Sequence, residues 1–158
     1  MVGGSGPDRI FGGVGNDILF GGVNQDRLFG GEDRDILIGD MGNDFLSGGA
    51  SNDVLIGVTG NNTLEGWSGA DLFVFGASDG RDKVKDFEIG VDKIGLIEGE
   101  LTFAELTITQ SGNRSVLGIA SGGKTIAIIR GVQASSLDES NFEVVSPVYN
   151  LEDAMALL

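Results

Sequence analysis

The sequence predicts an all-β protein in which a short turn-and-strand unit is repeated along the first half of the chain. Three observations support this prediction. Residues 3–74 divide into eight consecutive nine-residue units, position 1 of each unit is Gly, and position 8 is always large and apolar. A repeat of fixed period indicates that each unit stacks on its neighbours. The units are GGSGPDRIF, GGVGNDILF, GGVNQDRLF, GGEDRDILI, GDMGNDFLS, GGASNDVLI, GVTGNNTLE and GWSGADLFV.

The two halves of the unit favour different local structures. The first half, G-G-x-G-x-D, can turn sharply because glycine reaches positive φ at little steric cost. The second half has three residues with an apolar residue at its centre, which is typical of a short strand whose middle side chain faces inward. Each unit is therefore predicted to form one turn and one strand, and two units to complete one coil of eighteen residues.

Acidic residues recur with the same period. Position 6 is Asp in seven units and Asn62 in the seventh unit. Carboxylate oxygens, together with the main-chain carbonyls that glycines leave accessible, are the ligands that Ca²⁺ prefers. The pattern therefore indicates bound calcium. The seven aspartates are Asp8, Asp17, Asp26, Asp35, Asp44, Asp53 and Asp71.

These units resemble the nonapeptide GGxGxDxUx of the RTX (repeats-in-toxin) calcium-binding proteins. The resemblance implies a parallel β-roll, which is a β-solenoid, with calcium ions between turns stacked on the same edge. It also implies that the ligands are the position-6 side chains, with Asn62 at the equivalent place, and main-chain carbonyls of the Gly-rich turn. The implied position-1 residues are Gly3, Gly12, Gly21, Gly30, Gly39, Gly48 and Gly66. The implied position-3 residues are Ser5, Val14, Val23, Glu32, Met41, Ala50 and Ser68.

The eight units are predicted to differ in how well they form the turn and bind calcium. Odd units share one edge of the roll and even units share the other, so up to about six calcium sites are expected between stacked turns. Asn62 lacks the carboxylate and Val58 replaces the second glycine of the same unit, which puts the gap between units five and seven in doubt. Asn24 and Asp33 replace the fourth-position glycine but tolerate left-handed backbone, whereas Ser51 is less suited to it.

Without calcium, the repeats are expected to behave as a disordered Gly/Asp-rich linker. Eight inward side chains bury too little apolar surface to offset the conformational entropy of ordering 72 residues. Aspartates stacked along each edge also repel one another. The sequence therefore predicts that calcium binding and folding are a single event.

Composition narrows the function classes. The chain has 24 acidic and 10 basic residues and a net charge of -14, most of which six calcium ions would neutralise. This balance argues against nucleic acid and anionic membranes as partners. The absence of Cys and His excludes disulfides, a cysteine nucleophile and a histidine general base from this chain. We therefore expect no enzymatic activity here, and any such activity to reside in an upstream domain of a longer protein.

The strands of odd and even units are predicted to present different outward faces. In the odd units, positions 7 and 9 are mixed, with Phe11 and Phe29 beside Arg9 and Arg27, which suggests a weak contact surface. In the even units, both positions are always apolar. Such a face is normally covered, and we expect the segment after residue 75 to cover it; an exposed docking surface is the alternative. The apolar residues are Ile18, Phe20, Ile36, Ile38, Val54, Ile56, Leu72 and Val74.

Residues 73–96 resemble the segment that closes many RTX rolls, with the pattern D-x-(V/I)-x-D-F-x-x-G-x-D-x-I. In that family, acidic residues here can join the last calcium sites, which implies Asp82, Asp86 and Asp92 as further ligands. The alternative is that they are solvated strand and turn residues. Five apolar residues are expected to close the end of the core. They are Trp67, Val84, Phe87, Ile89 and Ile94.

The domain prediction is a roll over residues 3–74, a β-rich capping extension over 75–146 and a tail over 147–158. Within the extension, strands are expected at 106–110, 115–120 and 124–130, with one helical turn at 101–106 and a short turn or helical piece at 134–142. Gly118 to Thr125 formally match a phosphate-binding loop, but the β-branched residues that follow predict a hairpin instead of the required helix. In the tail, Asn150 could cap a short amphipathic segment that serves as a secretion signal.

Two functions are compatible with these features. By resemblance, the chain is a calcium-dependent folding and export module of a protein secreted by a type I ABC transporter, and hence extracellular or at the cell surface. The alternative is a carbohydrate-binding or adhesion module, similar to the accessory modules of alginate epimerases, with a polysaccharide as partner. The N-terminus lacks the basic and apolar regions of a cleaved signal peptide, and no stretch approaches a membrane span.

Overall fold

The computed structural model describes residues 1–147, and within them the predicted all-β fold is confirmed. The predicted tail, with Asn150, falls on 148–158 and lies outside the described residues apart from Pro147. Three short 3-10 turns, at Phe103–Glu105, Ala134–Ser136 and Glu139–Asn141, are the helical elements among the described residues. The strands are β1 (Val2–Ser5), β2 (Arg9–Val14), β3 (Ile18–Val23), β4 (Arg27–Glu32), β5 (Ile36–Met41), β6 (Phe45–Ala50), β7 (Val54–Ile56), β8 (Thr63–Ser68), β9 (Leu72–Phe75), β10 (Asp82–Val84), β11 (Lys93–Ile97), β12 (Leu106–Gln110), β13 (Arg114–Ile119), β14 (Thr125–Arg130) and β15 (Phe142–Val145).

The strands form two sheets, and through β11 the chain enters them alternately with parallel pairing, as expected for a solenoid of two units per coil. Sheet A has the order β1-β3-β5-β7-β9-β11-β15, and sheet B has the order β12-β13-β14-β10-β8-β6-β4-β2. Within the repeats, paired residues are eighteen apart, as in Arg9 opposite Arg27 and Ile18 opposite Ile36. The nine-residue period therefore fixes both the sheet of each strand and its register.

Most strands are longer than the three residues that the repeat suggests. In β2, for example, the strand includes positions 7 to 9 of one unit and positions 1 to 3 of the next. The Gly-Gly segment thus belongs to the strand, and the turn is confined to positions 4 to 6. In the repeats after β1, β7 is an exception: it ends at Ile56, just before the unit in which Val58 replaces glycine.

Left-handed backbone occurs at positions 2 and 4 of the unit. Asn24, Asp33 and Ser51, which replace the fourth-position glycine, all adopt it, with φ of 88°, 72° and 79°. Val58 and Trp67 adopt it at position 2, with φ of 64° and 72°. These values are costly for a β-branched or bulky side chain, so the coil geometry overrides residue preference in the last two units.

The core is a stack of inward-facing position-8 residues that continues beyond the repeats. Leu19 through Phe73 form the stack at every ninth position, and Val84, Phe87 and Ile94 extend it. Ile89 and Trp67 were expected to close the core, and this expectation is wrong. Ile89 is 41% exposed in the turn before β11, and Trp67 is 66% exposed because side chains alternate along β8 and Trp67 follows the buried Gly66.

The chain after residue 75 continues both sheets instead of forming a separate layer. β10 pairs in parallel with β8, and β11 pairs in parallel with β9. The expected strands at 106–130 form an antiparallel hairpin series, so the residues from Gly118 to Thr125 lie in a hairpin and not before a helix. β15 was not predicted; it adds to the edge of sheet A beside β11. The boundary at residue 74 stays a prediction, since strand pairing crosses it.

The outward face of sheet A is buried at its centre, so the alternative of an open docking face there is wrong. Ile36, Ile38, Val54, Ile56 and Val74 are each at most 4% exposed. Among the described residues, the cluster on this face consists of side chains from sheet A itself and Val58. The described chain after residue 75 extends this face through β11 and β15. That the segment after residue 75 also covers it stays a prediction.

Candidate metal centre

The position-6 aspartates form a hydrogen-bonded column along each edge of the roll. The main-chain N–H of each position-6 residue donates to the side-chain Oδ1 of the position-6 residue in the next coil on that edge. Asp8 donates to Asp26 over 2.7 Å, and Asp53 donates to Asp71 over 2.9 Å. Because Oδ1 is held in this way, the direction of the second oxygen, Oδ2, is also fixed. The same bond joins Asp17 to Asp35, Asp26 to Asp44, Asp35 to Asp53, and Asp44 to Asn62.

The second oxygen of these carboxylates is buried without a hydrogen-bond donor. A buried carboxylate oxygen without a partner is costly, and a series of them at one repeat position indicates a binding site for cations. Asn62 presents its Nδ2 in the same state. The unpartnered oxygens among the described residues are the Oδ2 atoms of Asp8, Asp26, Asp35, Asp44, Asp53, Asp71 and Asp82.

The position-1 glycines leave the space that these oxygens face. A Cβ atom added to Gly21 would lie 2.7 Å from Asp26 Oδ2 and 2.7 Å from the Gly39 carbonyl oxygen. A Cβ on Gly30 would lie 2.3 Å from Asp35 Oδ2 and 2.5 Å from a carbonyl oxygen eighteen residues on. Two neighbouring coils thus bring a carboxylate and a carbonyl oxygen to one point, which explains why position 1 is always glycine.

Four of the seven implied position-3 residues have no side-chain oxygen and can contribute only through the main chain: Val14, Val23, Met41 and Ala50. Six of the seven side chains implied as neighbours of calcium are exposed, and Ala50 is partly exposed. The carbonyl oxygens of Val23 and Met41 accept main-chain hydrogen bonds from Gly6 and Asn24. A carbonyl has a second lone pair, so this bond leaves a position for a cation.

The donor set fits calcium. It consists of carboxylate and carbonyl oxygens from adjacent coils, whereas Zn²⁺ would require His or Cys ligands that the chain lacks. In the described part of the chain, no three acidic side chains converge on a single point. Each site must therefore complete its coordination with main-chain oxygens, as the glycine geometry allows.

The columns continue beyond the repeats. Asn62 donates its N–H to Asp82 Oδ1 over 2.8 Å, and Asp71 donates to Asp92 Oδ1 over 3.0 Å. Asp82 and Asp92 therefore occupy the position-6 place of an additional coil. Asp86 differs: its carboxylate accepts from the N–H groups of Gly66 and Trp67, so it supports the last turn from outside the column.

The pKa values of the column carboxyls are raised. Burial, which removes water from the carboxylate, raises the pKa of Asp35, Asp44 and Asp71 to about 6 and that of Asp53 and Asp82 to about 7. Hydrogen bonds from the main chain oppose this rise, and neighbouring carboxylates add to it. Without metal, these carboxyls thus favour the protonated form. A bound divalent cation would offset the same cost, which is that of burying a negative charge.

Sequence reasoning missed a second column on the surface of the turns. Asn at position 5 accepts a hydrogen bond through Oδ1 from the position-5 N–H of the following coil. Asn43 accepts from Asn61 over 2.7 Å, and Asn52 accepts from Ala70 over 2.8 Å. The signal was present in the sequence, since four of the eight units have Asn at this position. The same bond links Asn16 to Arg34 and Asn61 to Arg81.

The outward face of sheet B carries a stripe of aromatic and basic side chains. Phe11 and Phe29 stack at 4.9 Å between ring centroids, and Phe45 lies 5.7 Å from Phe29. Arg9 lies over the rings of Phe11 and Phe29, and Arg27 lies over Phe45 at 4.7 Å. Lys85 adds a third cation 5.5 Å from the Phe45 ring. We call this set the aromatic stripe.

Parallel coils that stack paired carboxylates on glycine turns define a calcium-binding β-roll. The chain belongs to the RTX calcium-binding nonapeptide repeat family, whose profile matches residues 1–28, 20–55 and 47–81, together more than half of its length. In this family, the repeats bind Ca²⁺ between turns. The predicted recognition, β-roll fold and calcium cofactor are therefore confirmed.

Two solved structures resemble the chain. The solution structure of the AlgE6R3 subunit from the Azotobacter vinelandii mannuronan C5-epimerase is 24% identical over 81% of this chain and 77% of that one, with a TM-score of 0.39. The extracellular lipase LipA from Serratia marcescens is 16% identical over 88% of this chain, with a TM-score of 0.47, and the match spans 38% of the lipase chain. No curated protein sequence matches significantly. Among the described residues, no helix is long and apolar enough to cross a membrane.

Proposed function

We propose that this calcium-binding module folds when calcium fills the gaps between its coils, and that it serves as the folding and export module of an extracellular protein. The observation that carries the proposal is the row of buried Oδ2 atoms without hydrogen-bond donors. These oxygens make the folded roll costly until a cation neutralises them. Metal binding and folding are then thermodynamically linked.

The proposed ligands are those of the two columns. Each ion would bind Oδ2 of one aspartate and carbonyl oxygens at positions 1 and 3 of the adjoining turns. The family resemblance supports Asp92 as a member of the last site on the even edge, because it continues the column bond of Asp71. Asp82 takes the equivalent place after Asn62 on the odd edge, where the column lacks one carboxylate. Asp86 is proposed to hold the last turn through Gly66 and Trp67 and not to bind the ion itself.

The negative net charge of the chain makes folding depend on where calcium is available. With a net charge of -14, the chain repels itself where calcium is scarce and stays unfolded, a state that can thread a narrow channel. Extracellular calcium modules have dissociation constants on the order of 10⁻⁴–10⁻³ M. The sites would therefore fill with calcium outside the cell, and the roll would fold and stay folded there. A type I ABC transporter is the partner that the family resemblance supports. The repeat fold is typically non-catalytic, and we assign the module no reaction of its own.

The test uses the full chain without calcium. Far-UV circular dichroism should show little β-structure in chelator, and β-structure should appear cooperatively as calcium is added, with a midpoint on the order of 10⁻⁴–10⁻³ M. Magnesium at the same concentration should not substitute, because it is smaller and dehydrates reluctantly. A β-rich spectrum that is indifferent to both chelator and calcium would overturn the proposal.

A second candidate function is binding of an acidic polysaccharide at the aromatic stripe. Exposed aromatic rings offer stacking surfaces for sugar rings, and Arg9 and Arg27 offer guanidinium groups that pair with carboxylates. The stripe also adjoins exposed Trp67, which with Phe29 and Ser47 lines a shallow surface cavity. This region is positively charged, whereas the edges of the roll, which carry the aspartate columns, are negatively charged.

The test is a titration with alginate at saturating calcium. Arg27→Ala should weaken binding several-fold, because it removes a cation that contacts two rings. Arg130→Ala removes the same charge from the end of β14, outside the aromatic stripe, and should leave binding unchanged. Absence of alginate binding by the wild-type chain, or an equal loss of affinity in both variants, would contradict this second candidate function.

A further inference from the structure

Asn62 interrupts the carboxylate column on the odd edge. Its Oδ1 accepts the N–H of Asp44 over 2.8 Å, as an aspartate would. Its amide nitrogen, Nδ2, therefore lies where the other units present a carboxylate oxygen. Asn62 is 0% exposed, and this nitrogen has no hydrogen-bond partner of normal geometry. An N–H group is a donor and cannot coordinate a cation.

The next carboxylate on this edge, that of Asp82, faces the same space as the amide. A Cβ atom added to Gly57 would lie 2.3 Å from Asn62 Nδ2 and 2.8 Å from Asp82 Oδ2, so both atoms face one point. In units one to four, the corresponding point is shared by a carboxylate oxygen and a carbonyl oxygen instead. Asp82 Oδ2 is likewise buried without a hydrogen-bond partner elsewhere.

We propose that the gap between Asn62 and Asp82 is closed by this amide and carboxylate and not by calcium. The amide N–H groups supply, without an ion, the partial positive charge that Asp82 Oδ2 needs. The even edge has no such interruption, because its column runs through aspartates from Asp17 to Asp92. The odd edge therefore binds one calcium ion fewer than its length allows.

The proposal has a structural consequence at the junction of the roll and the extension. β8 and β10 pair directly across this gap, and β10 in turn pairs with β14 of the hairpin series. On sheet B, the attachment of the C-terminal extension to the last odd coil therefore needs no metal. The even edge, in contrast, reaches Asp92 through carboxylates alone.

The test counts bound calcium, and it rests on the proposed function. Calcium-saturated protein is dialysed against buffered calcium, and the bound ions are measured by atomic absorption. Asn62→Asp should bind one more ion per chain than the wild type. Asn61→Asp makes the same change in the exposed position-5 column, where the Oδ1 acceptor of Arg81 is kept, and should bind the wild-type number.

The outcomes separate the two proposals. A wild-type chain that binds no calcium would overturn the proposed function. A wild-type chain that binds calcium while Asn62→Asp shows the same count would overturn the inference alone. If Asn62→Asp does not fold, nuclear magnetic resonance of the calcium-loaded wild type decides: the Asn62 side-chain amide protons should exchange slowly with solvent, and rapid exchange would overturn the inference.

Discussion

The main-chain N–H of Asp71 donates a hydrogen bond to the Asp92 carboxylate, although Asp92 lies beyond the last repeat and twenty-one residues further along the chain. Asp92 also accepts a hydrogen bond from the N–H of Glu88 over 2.7 Å, so its two oxygens bind the column and its own turn. Asp92 is buried, and burial raises its pKa. The extension thus completes the even column.

Asp92→Asn is expected to weaken calcium binding at the C-terminal end of the even edge. The substitution keeps the acceptor for Asp71 but removes a negative charge and the acceptor for Glu88. The calcium concentration at half-folding should therefore rise about tenfold, the lower end of the loss expected when a group that supports a metal ligand is removed. Glu98→Gln, an exposed neighbour after β11, should not change it. Equal midpoints for both variants in a circular dichroism titration would contradict the role of Asp92.

Gly48→Ala is expected to disable the site beside Asp53. The new Cβ would lie 2.3 Å from Asp53 Oδ2 and 2.9 Å from Asp53 Cβ, so the carboxylate cannot keep its place. Gly15→Ala is the control: its Cβ meets nothing within 4 Å, but φ is +99°, so it should cost only about 1–2 kcal/mol of backbone strain. Isothermal titration calorimetry should show fewer ions bound by Gly48→Ala and the wild-type number for Gly15→Ala. The reverse order would contradict the glycine argument.

Ser51→Gly is expected to stabilise the calcium-loaded roll. Ser51 is exposed and adopts φ of 79°, which costs a residue with a Cβ about 1–2 kcal/mol. Part of the relief is offset by the greater freedom of glycine in the unfolded chain, so the melting temperature should rise by about 2–4 °C. Ser111→Gly, at an exposed turn without positive φ, should lower it. Differential scanning calorimetry in saturating calcium distinguishes the two results.

Acid is expected to favour the metal-free fold. The pKa of Asp53 is raised to about 7 and that of Asp44 to about 6 by burial, above the ordinary value of about 4. Between pH values of about 4 and about 7, the folded chain therefore binds more protons than the unfolded chain. The free energy of unfolding falls as the pH rises through this range. Calcium-free protein should therefore gain β-structure when the pH is lowered from about 8 to about 5. Loss of β-structure over that range would contradict this assignment.

The same carboxyls make calcium binding pH-dependent. Protons and calcium compete for Oδ2, so the calcium midpoint should rise as pH falls below about 6. Glu139 provides the control, because its carboxylate is exposed in a 3-10 turn of the extension, outside both columns. Glu139→Gln should leave the pH dependence unchanged, whereas Asp53→Asn should reduce it.

Periodicity predicted the turn-and-strand unit and the two-unit coil, and the family resemblance supplied the parallel roll in which the coils stack. Because the unit is nine residues long, Asp26 must follow Asp8 on the same edge, and Leu28 must lie beside Ile10 in the core. The same argument predicted that sheet A and sheet B would have different outward faces.

Features outside the period could not be predicted in the same way. The column spacing is eighteen residues within the repeats but twenty from Asn62 to Asp82 and twenty-one from Asp71 to Asp92, so register alone does not identify these partners. Trp67 has an apolar side chain in the last unit, but β8 continues past position 9 into the glycine pair, and the alternation along the strand places Trp67 on the exposed side. β15 pairs with a strand almost fifty residues earlier, a long-range contact that no local pattern encodes.

The eighteen-residue register also makes the roll modular in length. Each coil touches mainly the coils before and after it, so removing residues 21–38 would delete one complete coil and return every later strand to its own sheet. Removing only nine residues would exchange the two sheets for all that follows, and the apolar outward strands would take the place of the aromatic stripe. Evolution or design can therefore shorten this protein in whole coils, but a half-coil excision would rebuild its surface.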